Sequence, residues 1–119
     1  MQHPLLDTTV GVSSSGSIIF LQEILRLLSI EMPQDLEGIE LVYLRKEFER
    51  LKQLVHKMRS SALYIGTIRL EQVCQSLENL LSDPMAQEKE VSRLYQQFHL
   101  IVEQTLRTIQ GWLHDKKIS

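Results

Sequence analysis

One histidine in this chain stands in company that suits it to hold an anion. If the residues around His56 are helical, Lys52 and Ser60 lie one turn away on its face, Arg59 three residues on, and Leu63 two turns on. An exposed imidazole titrates near ~6.5, so at neutral pH much of it is uncharged and nucleophilic. A phosphoryl group placed on a ring nitrogen would sit beside Arg59 and Lys52, both able to donate charge-assisted hydrogen bonds to it. Ser60 is small and leaves a visiting molecule room to reach the ring. Lys57 points about 100° away from His56, so it is expected to meet a partner's acidic surface rather than the phosphoryl group.

A helix must present this face. Phe48, Leu51, Val55, Met58, Ala62 and Ile65 recur at helical spacing as one apolar stripe, with Leu54 at its edge. His56 lies outside the stripe and should face solvent. Leu63 shares the face of His56, and an apolar side chain there has two readings: contact with the adjacent helix, or part of a docking patch.

The stretch Leu54 to Glu78, LVHKMRSSALYIGTIRLEQVCQSLE, resembles the histidine-containing phosphotransfer (HPt) domain. The core motif of that family is H-x-x-K/R-G-S followed by a Gly ten residues after the His. His56, Arg59, Ser61 and Gly66 match it, while Ser60 departs from the usual Gly. The likeness is closest to the C-terminal HPt domains of tripartite hybrid sensor kinases of the BarA and LetS kind. Tyr64, Gly66 and Arg69 occupy their Tyr, Gly and Arg positions, and Cys74, Gln75 and Glu78 also fall in place. The resemblance implies an all-α antiparallel four-helix bundle with His56 as phospho-acceptor and Arg59 in the motif's basic position. Ser61, Tyr64 and Gly66 would be structural members of the motif, the Tyr64 ring lying against the bundle.

Composition is compatible with that reading. A chain of 119 residues makes one domain with a single core. Its 13 Lys and Arg against 15 Asp and Glu give a net charge of −2, which argues against a nucleic-acid binder. The single cysteine, Cys74, excludes an internal disulfide and is expected as a buried thiol in a reducing compartment. No Cys/His cluster with metal-ligand spacing occurs. Residues 1–16 lack the features of a secretory signal, and no apolar run approaches the roughly 20 residues that span a bilayer. The expectation is a cytoplasmic, monomeric domain without membrane contact, whether free or at the cytoplasmic end of an inner-membrane sensor kinase.

In chain order, residues 1–16 form a lead-in ending in Ser-Ser-Ser-Gly, flexible or short-helical, with Pro4-Leu5-Leu6-Asp7 able to make a turn against the bundle. The bundle itself is expected over 17–119. Ser17 is a plausible cap for a helix burying Ile18, Phe20 or Leu21, Ile24, Leu25, Leu28 and Met32. Pro33 should kink this helix, which continues through Leu36, Ile39, Leu41 or Val42, and Leu44. One unbroken helix from Gln34 to Ile65 would run about 48 Å, too long for a compact domain, so a tight turn is expected near Arg45-Lys46-Glu47. The family likeness implies such a turn, whereas the residues alone do not mark it. Gly66 suits the end of the His56 helix, and Thr67 can cap the next, which turns Ile68, Val73, Leu77 and Leu80 or Leu81 inward. Ser82-Asp83-Pro84 reads as a turn. A last helix from Met85–Glu88 carries Val91, Leu94, Phe98, Ile101 or Val102, Thr105, Ile109 and Trp112 on one side.

Set against the phospho-acceptor reading is an incidental surface histidine, which is how His3, His99 and His114 are read. The family likeness tips His56 the other way. The function implied is a phosphorelay intermediate that takes a phosphoryl group from an aspartyl phosphate of one receiver domain, in a hybrid sensor kinase, and passes it to the aspartate of another, in a response regulator. No cofactor of its own is expected, since the receiver brings the aspartate and Mg²⁺. The chain has no Gly-rich phosphate loop and no kinase motif, so it is not expected to make phosphohistidine from ATP. The alternative is a phosphorylation-independent helical module that docks a receiver, and an enzyme with an active site of its own finds no supporting constellation.

Overall fold

The computed structural model describes residues 18–65 and 67–118, with side chains at 18–63 and 67–114. The lead-in, the Ser17 cap, Gly66 and the side chain of Tyr64 lie outside these. The described residues form four helices and no strand: α1 (Ile18–Leu44), α2 (Phe48–Ile65), α3 (Ile68–Leu81) and α4 (Glu88–Ile118). α1 packs on α2 and α4, and α3 packs on the same two, so each helix has two neighbours. Short connections between packed neighbours make consecutive helices antiparallel.

α1 runs unbroken through Pro33. Its buried side chains are Leu21, Leu25, Met32, Leu36, Ile39 and Val42, which resolves two open choices in favour of Leu21 and Val42. Ile18 and Leu44, expected inward, are exposed. Leu44 is the last residue of α1, beside the turn.

That turn is a Schellman closure. Glu47 N–H donates to the Val42 carbonyl at 3.1 Å and Lys46 N–H to the Tyr43 carbonyl at 3.0 Å. Lys46 has φ 58°, the left-handed region that normally favours glycine.

At the head of α3, Thr67 does not cap with its side chain. Its hydroxyl, fully buried, donates back to the Ala62 carbonyl at 3.1 Å, and its own N–H reaches the same oxygen at 3.0 Å. The Thr67 side chain thereby ties off the end of α2, while its carbonyl accepts the Glu71 N–H at 3.0 Å at the start of α3. The buried face of α3 is Leu70, Val73, Cys74, Leu77 and Glu78. Ile68 and Leu80 stay half-buried, because the helix is rotated to bring Leu70 inward. After α3, the Met85 N–H bonds the Asp83 carboxylate at 2.9 Å in a side-chain-closed turn.

The main core joins all four helices, from Met32, Leu36 and Ile39 through Leu51, Val55 and Leu77 to Phe98 and Val102. Tyr95, which the reading of α4 passed over, stacks on Tyr43 at 3.8 Å between centroids. α1 and α4, about 40 and 46 Å long, outreach α2 and α3 at about 27 and 21 Å. Their overhang has its own small core of Leu21, Leu25 and Ile109, with Trp112 packed against it.

Candidate functional site

The site is built where α2 faces α3. Burial of Leu51, Val55, Met58 and Ala62 fixes the rotation of α2, and His56, one residue past Val55, is thereby turned outward with 63% of its side chain exposed. Burial of Leu70, Val73, Cys74 and Leu77 fixes α3, and its flank toward α2 carries Glu71 and Glu78 seven residues apart on one face.

A chain of charge-assisted bonds spans the two helices. His56 Nδ1 lies 2.6 Å from Glu78 Oε1. Arg59 Nη1 donates to Glu78 Oε2 at 3.1 Å, and Arg59 Nε donates to Glu71 Oε1 at 3.3 Å. The Glu78 side chain is only 10% exposed, so its two oxygens depend on these partners. A carboxylate can only accept, so the hydrogen of the short contact belongs to His56 Nδ1. The neutral ring is then the tautomer whose Nε2 bears the free lone pair, and Nε2 points away from Glu78.

Arg59 is held above the usual arginine range, first by its hydrogen bond to Glu78 and against the pull of burial. It is thus a permanent cation, and its guanidinium is directed into α3. Cys74 lies buried between the two carboxylates in sequence, and burial first, then the nearby Glu78 and Glu71, push its thiol far up. Such a thiol stays protonated and unreactive.

The remaining residues singled out in the sequence fall on the solvent side. Lys52 is half-buried on the His56 face and forms no ion pair with a described residue. Ser60 is exposed, its hydroxyl bonded to the His56 carbonyl at 3.3 Å. Leu63 is 54% exposed and is not part of the core. Lys57 and Ser61 border a groove of about 200 Å³ between α1 and α2, floored by Met32, Ile39 and Met58. His99 pairs with Glu103 one turn along α4, and His114 is exposed near its end.

Sequence reasoning had no role for Glu71 and missed that Glu78 is the partner of His56. The signal present was an acidic pair spaced by seven on an apolar helix, the spacing that turns both toward one neighbour. What was not visible was which neighbour that would be.

With this geometry in place, the comparisons with known proteins decide the family. A family model described as the Hpt domain matches residues 23–112, from the second turn of α1 into the last turns of α4. This chain belongs to the Hpt family. Hpt domains carry histidine phosphotransfer in phosphorelays and interact there with receiver domains. No curated protein and no solved structure matches the chain. In this Hpt domain, among the described residues, no group of three His, Cys, Asp or Glu is arranged to hold a metal ion. No described helix is long and apolar enough to cross a membrane.

Proposed function

We propose that this Hpt domain carries a phosphoryl group on Nε2 of His56 between the aspartates of two receiver domains. The observation that carries the reading is the exposed ring whose inner nitrogen is already occupied by Glu78 at 2.6 Å. The Nε2 lone pair attacks the phosphorus of a receiver's aspartyl phosphate. The P–N bond forms, the P–O bond to the aspartate breaks, and its electron pair leaves on that carboxylate. The second transfer runs the same exchange toward a fresh aspartate. Mg²⁺ held by the receiver neutralises the phosphoryl oxygens, and this chain contributes the nucleophile and its orientation.

Lys52, which pairs with no described residue, is the cation available to the transferred group, while Arg59 acts from behind through Glu78. Leu63, Ser60, Lys57 and the groove beside Ser61 form the surface a receiver meets, apolar at the centre and basic at the rim. The motif residues His56, Arg59, Ser61, Tyr64, Gly66 and Arg69 favour a terminal domain of a BarA- or LetS-like hybrid kinase, working as a monomer in the cytoplasm.

The test is incubation of the chain with phosphorylated receiver domains and Mg²⁺. Acid-labile, alkali-stable label on the chain that disappears in His56→Gln is the expected result. Binding of receivers without any label would leave the domain a docking module instead.

A further inference from the structure

α1 carries two apolar faces, and the bundle buries one of them. Leu21, Leu25, Met32, Leu36 and Ile39 point into the core, while Ile19, Leu27 and Ile30 stand 70%, 54% and 59% exposed on the opposite side. Steps of three and four residues lead from Ile19 and Phe20 through Glu23 to Leu27 and Ile30, so these positions form one outer ridge about three turns long. Phe20, Glu23, Ile24, Arg26, Leu27 and Ile30 line an apolar groove along it. A contiguous apolar strip of this kind marks a surface that meets another molecule.

The two charges on the ridge say which molecule. Glu23 and Arg26 lie in the middle of the strip, paired with each other at 2.6 Å and both exposed. Let a second copy of the chain approach about a two-fold axis at the level of Leu25, so that the two α1 helices run antiparallel. Positions equally far from the axis then face each other. Phe20 meets Ile30 of the second copy, with Ile19 one residue away, and Leu27 lies over the stem of its Glu23. Each Glu23 comes beside the other copy's Arg26, so four charges alternate around the axis. A parallel pairing would set Glu23 on Glu23 and Arg26 on Arg26.

We propose that the outer ridge of α1 is a homodimer interface, closed by a second copy of this chain in antiparallel two-fold register. The contact leaves the His56 site open: α1 packs on α2 and α4 and not on α3, whereas His56 faces α3. A second copy on this ridge sits across the bundle from the ring, and each copy still works as a single unit. The inference goes beyond the relay and does not rest on it. One helix against one helix is a small interface, so the pairing is weak and sets in as concentration rises. Exposed ion pairs add little affinity, and here they select the register.

The experiment is sedimentation equilibrium of the full chain between about 10 µM and about 1 mM. The weight-average mass should climb from 13.8 kDa toward twice that value and not beyond it. Leu27→Gln should weaken association roughly tenfold by removing apolar area at the centre of the ridge. Arg26→Glu should weaken it by a similar factor, because four acids then crowd the axis, and adding Glu23→Arg should restore it. All three positions are exposed, so unchanged circular dichroism and an unchanged urea midpoint serve as folding controls. A constant 13.8 kDa at every concentration would overturn the proposal and leave the ridge to a different protein. So would association that survives Leu27→Gln, that Glu23→Arg fails to rescue in Arg26→Glu, or that continues past twice the mass as an open-ended contact does.

Discussion

His56 Nδ1 and Glu78 Oε1 are 2.6 Å apart although the residues are 22 positions apart in the chain and on different helices. The contact exists because two apolar stripes, one on α2 and one on α3, set the rotation of both helices. Its strength depends on a third side chain.

That side chain is Arg59. Arg59→Ala leaves two carboxylates, Glu71 and Glu78, facing α2 without their cation. A drop in the urea-unfolding midpoint is expected. Adding Glu78→Gln to Arg59→Ala should recover part of it, since the orphaned charge is then gone. An Arg59→Ala protein as stable as wild type would show that the carboxylates do not need the guanidinium.

Leu63 lies exposed on the His56 face and contributes nothing to the core. Leu63→Asp should weaken receiver binding roughly tenfold, about 1.4 kcal/mol, with unfolding stability within about 0.5 kcal/mol of wild type. Binding by titration calorimetry at fixed salt, beside a urea melt, separates the two effects. Unchanged affinity would remove Leu63 from the docking surface.

Lys46 occupies a left-handed position, φ 58°, at the end of α1. Lys46→Gly should relieve that strain and raise stability by about 0.5–1 kcal/mol. The variant also gives up the 3.3 Å ion pair to Glu88, but both partners are exposed and such pairs contribute little. A lower urea midpoint for Lys46→Gly would mean that the ion pair outweighs the backbone strain.

Tyr95 is buried against Tyr43, and its hydroxyl has no hydrogen-bond partner among the described residues. Burial, aided by Glu40, pushes its phenol up to about 12. The unfolded chain therefore releases this proton first, near pH ~10, so stability holds below that pH and declines as pH rises toward 12. In Tyr95→Phe that part of the decline should vanish, and stability at pH 7 should stay level or rise by about 1 kcal/mol, since a buried unpaired hydroxyl is removed. Urea melts between pH 8 and about 11.5 check both.

These particulars also mark what the residues alone could convey. The stripe Leu51-Val55-Met58-Ala62 revealed α2 and the outward histidine because helical periodicity is a local property of the chain. The turn after α1 left no such mark, since Lys46 stands where a glycine would have announced it. Thr67 looked like a cap by type, yet a hydroxyl can turn either way along the backbone, and here it turned back to Ala62. Tyr95 and Leu70 were overlooked because α3 and α4 each offer more apolar residues than one face can bury, and only the neighbouring helices select among them. The Glu78 partnership is the same limitation at the site itself: a spacing of seven puts Glu71 and Glu78 on one face of a helix, and only packing decides that this face meets His56.

The exposure of the His56 ring has one further result. None of the described residues needs to swing aside before the outer nitrogen of this ring can be approached. Under the proposed function, the tempo of handover is then governed by how often a receiver collides in the right pose and how promptly it departs, and the concentration of receivers and the ionic strength become the natural throttle on signal flow.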